Sequence, residues 1–181
     1  EFLTSFALTA DAYKLESHFS KQRRWLDNTY KGFTSLQERQ DYIHFFGNYA
    51  KFYRDVWIDY RGDGNVPLAS IQSHEEAELA SLIVLYLRES NHKMAITILG
   101  RFYSDVLDGK ENSVNDFVEI CKTIAAFYTL WRSAESNAGL DNAYRTFFRG
   151  EGDNVTKNDW ITKGGERLDL TILKQVLTDK L

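Results

Sequence analysis

Three residue types are nearly missing from this chain of 181: it has one cysteine, one proline and one methionine. A lone Cys121 excludes an internal disulfide, so the fold does not depend on an oxidising compartment. A lone Pro67 leaves long helices uninterrupted. No run of 18 apolar residues occurs and no basic-then-apolar segment opens the chain, so neither a membrane span nor a secretory leader is expected, and a cytoplasmic protein is. The one methionine is Met94, and the abrupt start EFLTSFALTADAY leads us to expect a piece excised from a longer polypeptide.

A dominant charge sign is lacking too. Residues 1–60 carry eight basic against eight acidic side chains, 61–112 five against eight, and 113–181 nine against ten. The net charge of −4 excludes the uniform basic excess of a stand-alone nucleic-acid binder but leaves room for a local patch. The best candidate is Lys21-Gln22-Arg23-Arg24-Trp25, where Lys21, Arg23 and Arg24 could grip phosphates. The preferred reading is a solvated helix face with Trp25 tucked inward.

Recognisable catalytic motifs are few. HExxH, a His-Asp dipeptide, GxxxxGKS and GxGxxG are all missing. Asp41-x-x-His44 and Glu89-x-x-His92 have the carboxylate-x-x-His spacing of helical di-iron sites. However, Asp41 and His44 fall on a helix strip read as water-facing, and Ser90-Asn91 breaks the second pair. DYRGDGNVPLAS (59–70) has a glycine at the sixth place of a calcium loop, but Arg61 at the third and Ser70 at the twelfth argue for a plain turn. Cys121 lies on an apolar helix stripe, where a thiol is packing material. No metal or cofactor is expected in this chain.

Present in abundance are aromatic residues, 14% of the chain, set at helical spacing. A first helix is predicted over roughly 4–30, with Phe6, Tyr13, Phe19, Leu26 and Tyr30 near one face. Ser35-Leu36-Gln37-Glu38 has capping-box form and should start a second helix. In it Tyr42, Phe45, Tyr49, Phe52 and Val56 form one stripe, and Ile43, Phe46, Ala50, Tyr53 and Trp57 the next. Its remaining strip, Gln37, Asp41, His44, Asn48, Lys51 and Asp55, should face water.

A loop near 59–72 follows, then a second capping-box pattern, Ser73 to Glu76, before AELASLIVLYLRES. The short SNHK connection to MAITILGRFYSDVLDG favours antiparallel packing of those two helices. A further helix is predicted from about Ser113 to Ser136, a short one over 141–148, a loop over 149–165, and a final helix in ERLDLTILKQVLTDKL. No run of alternating strands is visible. The expected class is all-α, one irregular bundle of six to seven helices forming a single domain over 1–181.

The stretch LWRSAESNAGLDNAYRTFF (130–148) holds the most definite physical problem. Val114, Val118, Cys121, Ala125 and Tyr128 step along an apolar seam whose next member is Arg132. An unpaired buried guanidinium is prohibitive, so Arg132 should be paired or lie at the rim. Trp131, Arg132, Asp141 and Tyr144 read as a structural corner, with Asp141 or Glu135 as the acid and Arg145 pairing with Asp141 at i,i+4. The competing reading makes Arg132, Tyr144 and Arg145 a ligand- or partner-facing cleft.

These residues carry a family likeness. Trp131-Arg132, a small-residue turn, then Asp141-x-x-Tyr144-Arg145, preceded by RESNHKMAITILGRFYSDVL, resembles the helical middle region of GmrSD-type restriction proteins, over residues 88–148. The resemblance implies a larger protein with an upstream ParB/sulfiredoxin-like domain carrying Asp-Gly-Gln-Gln-Arg, and often a downstream HNH nuclease domain, acting against foreign DNA. Neither motif is in this chain, so no catalytic residue carries over. The chain would be a non-catalytic helical scaffold that positions nuclease domains, with the parent's other domains as partners and DNA contact as a candidate. The alternatives are a stand-alone helical enzyme or ligand-binding protein, and a protein–protein adaptor whose wide aromatic helix is exposed until docked.

Overall fold

The computed structural model describes residues 1–62 and 66–134, together with Lys174, Gln175 and Thr178. Among the described residues there are six α-helices and no strand: α1 (Phe2–Asp11), α2 (Phe19–Lys31), α3 (Leu36–Lys51), α4 (Ala77–Glu89), α5 (Ala95–Leu107) and α6 (Ser113–Ala134). A π-helical turn, Phe52–Ile58, prolongs α3, and a 3-10 turn, Ala69–Ile71, precedes α4. The expected all-α irregular bundle is what the chain forms. The helix predicted over 141–148 and the loop over 149–165 lie outside the described residues, as does most of the final helix.

Helix α5 lies at the centre. Every residue from Ala95 to Ser104 is buried, Thr97, Arg101 and Ser104 included. Around it pack α1, α3, the π-helical turn and α6. Contrary to the antiparallel α4/α5 pairing expected, α4 rests on α6. The ties run along both helices: Glu76 to Lys122 at 2.8 Å, Tyr86 to the Thr129 hydroxyl at 3.1 Å, and the Tyr128 hydroxyl to the Ser90 carbonyl at 3.2 Å.

The first capping box forms as predicted. The Glu38 N–H donates to Ser35 Oγ at 3.1 Å, and the Ser35 N–H donates back to Glu38 Oε2 at 3.0 Å. The Ser35 N–H, and then that of Thr34, hold the Glu38 carboxyl below its usual range. The second box does not form. Helix α4 begins only at Ala77, and the Glu76 N–H donates to His74 Nδ1 at 3.0 Å.

The principal aromatic stripe of α3 is buried throughout, from Tyr42 to Val56. The adjacent stripe divides: Trp57 is buried, Phe46 and Tyr53 are half-buried, and Ile43 reaches water. The wider π-helical turn, in which the Asp59 N–H reaches back to the Arg54 carbonyl at 2.8 Å, lets Val56 and Trp57 both point inward. Most of this wide aromatic arc is thus covered within the chain. Large exposed apolar side chains occur on α3, at Leu36 and Ile43, and on α4, at Leu79, Leu82 and Tyr86.

The helix predicted over 4–30 is two helices. Ala12, at φ 49°, ends α1, and its N–H and that of Tyr13 turn back to the Leu8 and Ala7 carbonyls. The reason is long-range. In one straight helix Phe6 and Trp25 would stand about 28 Å apart; with the chain folded back, their rings are 6.3 Å apart. Trp25 then donates to Asp11 Oδ2 at 3.1 Å, and Leu15 is buried in the connection. Tyr13 and Phe19, assigned by periodicity to the core face, are in water at 51% and 75% exposure.

Gly100 marks the closest approach of α5 to α3. A Cβ there would sit 2.4 Å from Tyr49 Cε2 and 3.0 Å from Phe52 Cδ1, two fully buried rings. Gly100→Ala is expected to destabilise the protein by about 2 kcal/mol, overpacking outweighing the roughly 1 kcal/mol gain in helix propensity. Urea unfolding measures it, and a stabilised variant would refute the close approach.

Candidate functional site

Three places bring together side chains that can do chemistry. The first is a cleft of about 180 Å³ between α3 and the end of α5, lined by Asp41, His44, Phe45, Arg101, Ser104, Asp108 and Lys110. Asp108 caps the C-terminus of α5, where the helix dipole disfavours a carboxylate. Donors from α3 offset this: His44 Nε2 lies 2.6 Å from Asp108 Oδ1, and Asn48 Nδ2 donates to the same oxygen at 2.7 Å. Asn48 also donates to the Ser104 hydroxyl at 3.1 Å. Ser104 therefore faces Asn48, not the imidazole, and the Ser-His-Asp relay of a hydrolase is not assembled. The water-facing strip thus needs correcting: Gln37, His44 and Lys51 are exposed, but Asp41, Asn48 and Asp55 are half-buried.

Arg101 is the residue that sequence reasoning missed. It is only 6% exposed, with Nη1 3.0 Å from Asp105 and its guanidinium 5.5 Å from the centre of the Phe45 ring. Lys110 shares Asp105 at 2.6 Å. The available signal was Asp105, four residues after Arg101 in an otherwise apolar helix. Arg88 was missed likewise. Its Nη1 donates to the carbonyls of Trp57 and Tyr60, at 3.2 and 2.5 Å, fastening α4 to the end of the π-helical turn.

The second place is the end of α6. Trp131 is half-buried against Phe127, ring centres 5.4 Å apart, and Arg132 is exposed on the last turn, at the rim as its chemistry requires. Its charge bears on His92, which is buried and stacked on the Tyr128 ring at 4.0 Å. Burial, then the Arg132 cation, lowers the His92 pKa to about 4. Asp141, Tyr144 and Arg145, the other members of the predicted corner or cleft, lie outside the described residues, as does Glu135.

Third is a cleft of about 370 Å³ where α2 meets the α1–α2 connection, lined by Asp11, Tyr13, Leu15, Glu16, Lys21, Arg24, Trp25 and Asn28. Trp25 is tucked inward as expected, while Lys21, Arg23 and Arg24 are exposed. Lys21 and Arg24 reach this cleft; Arg23 faces elsewhere.

No protein-family model and no curated protein matches this sequence. Reactivity must therefore be judged from the side chains themselves. Cys121 is fully buried, and burial pushes its thiol well above the ordinary range, which suppresses the thiolate. Among the described residues no three His, Cys, Asp or Glu side chains converge as metal ligands. No described helix is long and apolar enough to cross a membrane.

Proposed function

We propose that the chain is a helical scaffold and interaction module, performing no reaction alone, within a larger DNA-restriction protein whose nuclease domains it positions. The observation that carries this reading is the fate of the reactive side chains. His44 is tied to Asp108, Ser104 to Asn48, Arg101 to Asp105 and Arg88 to two carbonyls, while His92 and Cys121 are buried in packing. The His44, Ser104 and Arg88 contacts fix one element against another, and the Arg101–Asp105 pair lies within α5. An apolar face remains, formed by Leu79, Leu82 and Tyr86 on α4 and Leu130 on α6, the two helices joined by the Tyr86–Thr129 bond. It suits docking of a neighbouring domain of the same protein. The restriction setting is supported by the resemblance of residues 88–148 to the GmrSD-type middle region.

The gene provides the direct test. An upstream Asp-Gly-Gln-Gln-Arg motif in the same reading frame is expected, and a start codon just before Glu1 with a stop after Leu181 would remove the proposal. The purified chain should hydrolyse neither DNA nor nucleoside triphosphates. Turnover abolished by a substitution within residues 1–181 would show a reaction centre instead.

A further inference from the structure

We infer that the exposed arc of α2, with the cleft beside it, is a binding surface for single-stranded nucleic acid. The charge distribution comes first. Residues 14–31 hold five cations, Lys14, Lys21, Arg23, Arg24 and Lys31, against two acids, Glu16 and Asp27, in a chain whose net charge is −4. Both acids are already engaged, Glu16 by Lys21 at 3.7 Å and Asp27 by Lys31 at 2.7 Å. Among the described residues no carboxylate pairs with Arg23 or Arg24. Asp11, the other acid at the cleft, accepts from Trp25. Two guanidiniums are thus left facing solvent on adjacent positions of one helix, and the first turn of that helix carries no acid. Phosphate is the anion such a pair suits, by geometry as well as charge.

The aromatic residues decide which phosphate polymer. Phe19, one helical turn before Arg23 on the same side of α2, is 75% exposed. Tyr13, in the lining of the cleft with Lys21 and Arg24, is 51% exposed. A phenylalanine so exposed contributes little to the fold, yet two exposed rings flanking a basic row are the elements of a base-stacking platform. The cleft, about 370 Å³, is of a size for one nucleotide unit. Duplex DNA keeps its bases stacked internally and cannot use the rings. The strand would run its phosphates past Arg23, Arg24 and Lys21 with a base against Phe19 and another against Tyr13. This names the partner of the scaffold reading and rests on it only for why nucleic acid is at hand.

The test is fluorescence anisotropy of the whole chain with a labelled oligothymidine of about 12 nucleotides. Binding is expected to exceed that of a duplex of equal length. R23A/R24A should weaken it at least about tenfold and shrink the slope of log K against log salt by about 1.4, two single-strand phosphate contacts being lost. Phe19→Ala and Tyr13→Ala should each weaken it about tenfold at unchanged salt slope. Circular dichroism melting of the variants separates lost binding from lost fold. Absence of binding at low salt, preference for duplex, or indifference to both aromatic substitutions would overturn the inference. None of these results bears on the reading frame or on nuclease activity, so the scaffold proposal stands or falls separately.

Discussion

Replacing Phe6 by alanine is expected to destabilise the protein by about 4 kcal/mol, whereas Phe19→Ala should change stability by no more than about 0.5 kcal/mol. Phe6 is fully buried, with the rings of Phe2, Trp25, Tyr42, Phe45, Phe46 and Tyr49 all within 6.3 Å of its own. Removing it deletes the hub through which α1 holds both α2 and α3, and stiff rings around the void cannot collapse into it. A fall in Tm of roughly 12 °C corresponds to that loss in a chain this size. Phe19, in water, leaves no void. The pair is decisive because helical periodicity alone puts both rings on one inward face. Comparable losses for the two variants would restore the unbroken first helix and refute the turn at Ala12.

Lowering the pH from 6.5 to 4 is expected to remove about 3 kcal/mol of stability through His92 alone. His92 is neutral in the folded protein because burial, and then the Arg132 cation, disfavour its charged form, bringing its pKa to about 4 from an ordinary 6.5. Between those values the unfolded chain binds a proton that the folded one refuses, so stability falls as pH falls across the window; above pH 6.5 the contribution is flat. Urea unfolding of the native protein and His92→Gln at several pH values isolates the term, their difference narrowing by about 3 kcal/mol across the window. Arg132→Gln removes the like charge and should shrink the loss, because the folded-state pKa then rises toward the unfolded one. A His92 midpoint near 6.5 by NMR would mean that the ring is not buried against Tyr128.

Parts of the candidate sites were legible in advance. The cluster around Lys21 stands out because basic residues beside an aromatic are uncommon in an otherwise balanced chain, and the inward turn of Trp25 follows from its place on a polar helix. Arg132 reaching the rim follows from the cost of burying a guanidinium. Arg101 was legible only in its partner: Asp105 at i+4 marks the ion pair, but nothing in MAITILGRFYSDVL says that the pair is buried against Phe45. His44 and Asp108 are 64 residues apart, and nothing local indicates that α3 passes beside the end of α5.

By itself the sequence determined the all-α class, the Ser35 capping box and the buried stripe from Tyr42 to Val56, since propensity, capping and face periodicity act within a few turns of chain. Tertiary structure alone decided the break at Ala12, the seating of α4 on α6 and the polar ties of Arg88, Arg101 and Asp108. Each of these depends on which distant surface offers a ring, a carbonyl or a carboxylate. Local periodicity tells a side chain which way to face but not what it will meet there.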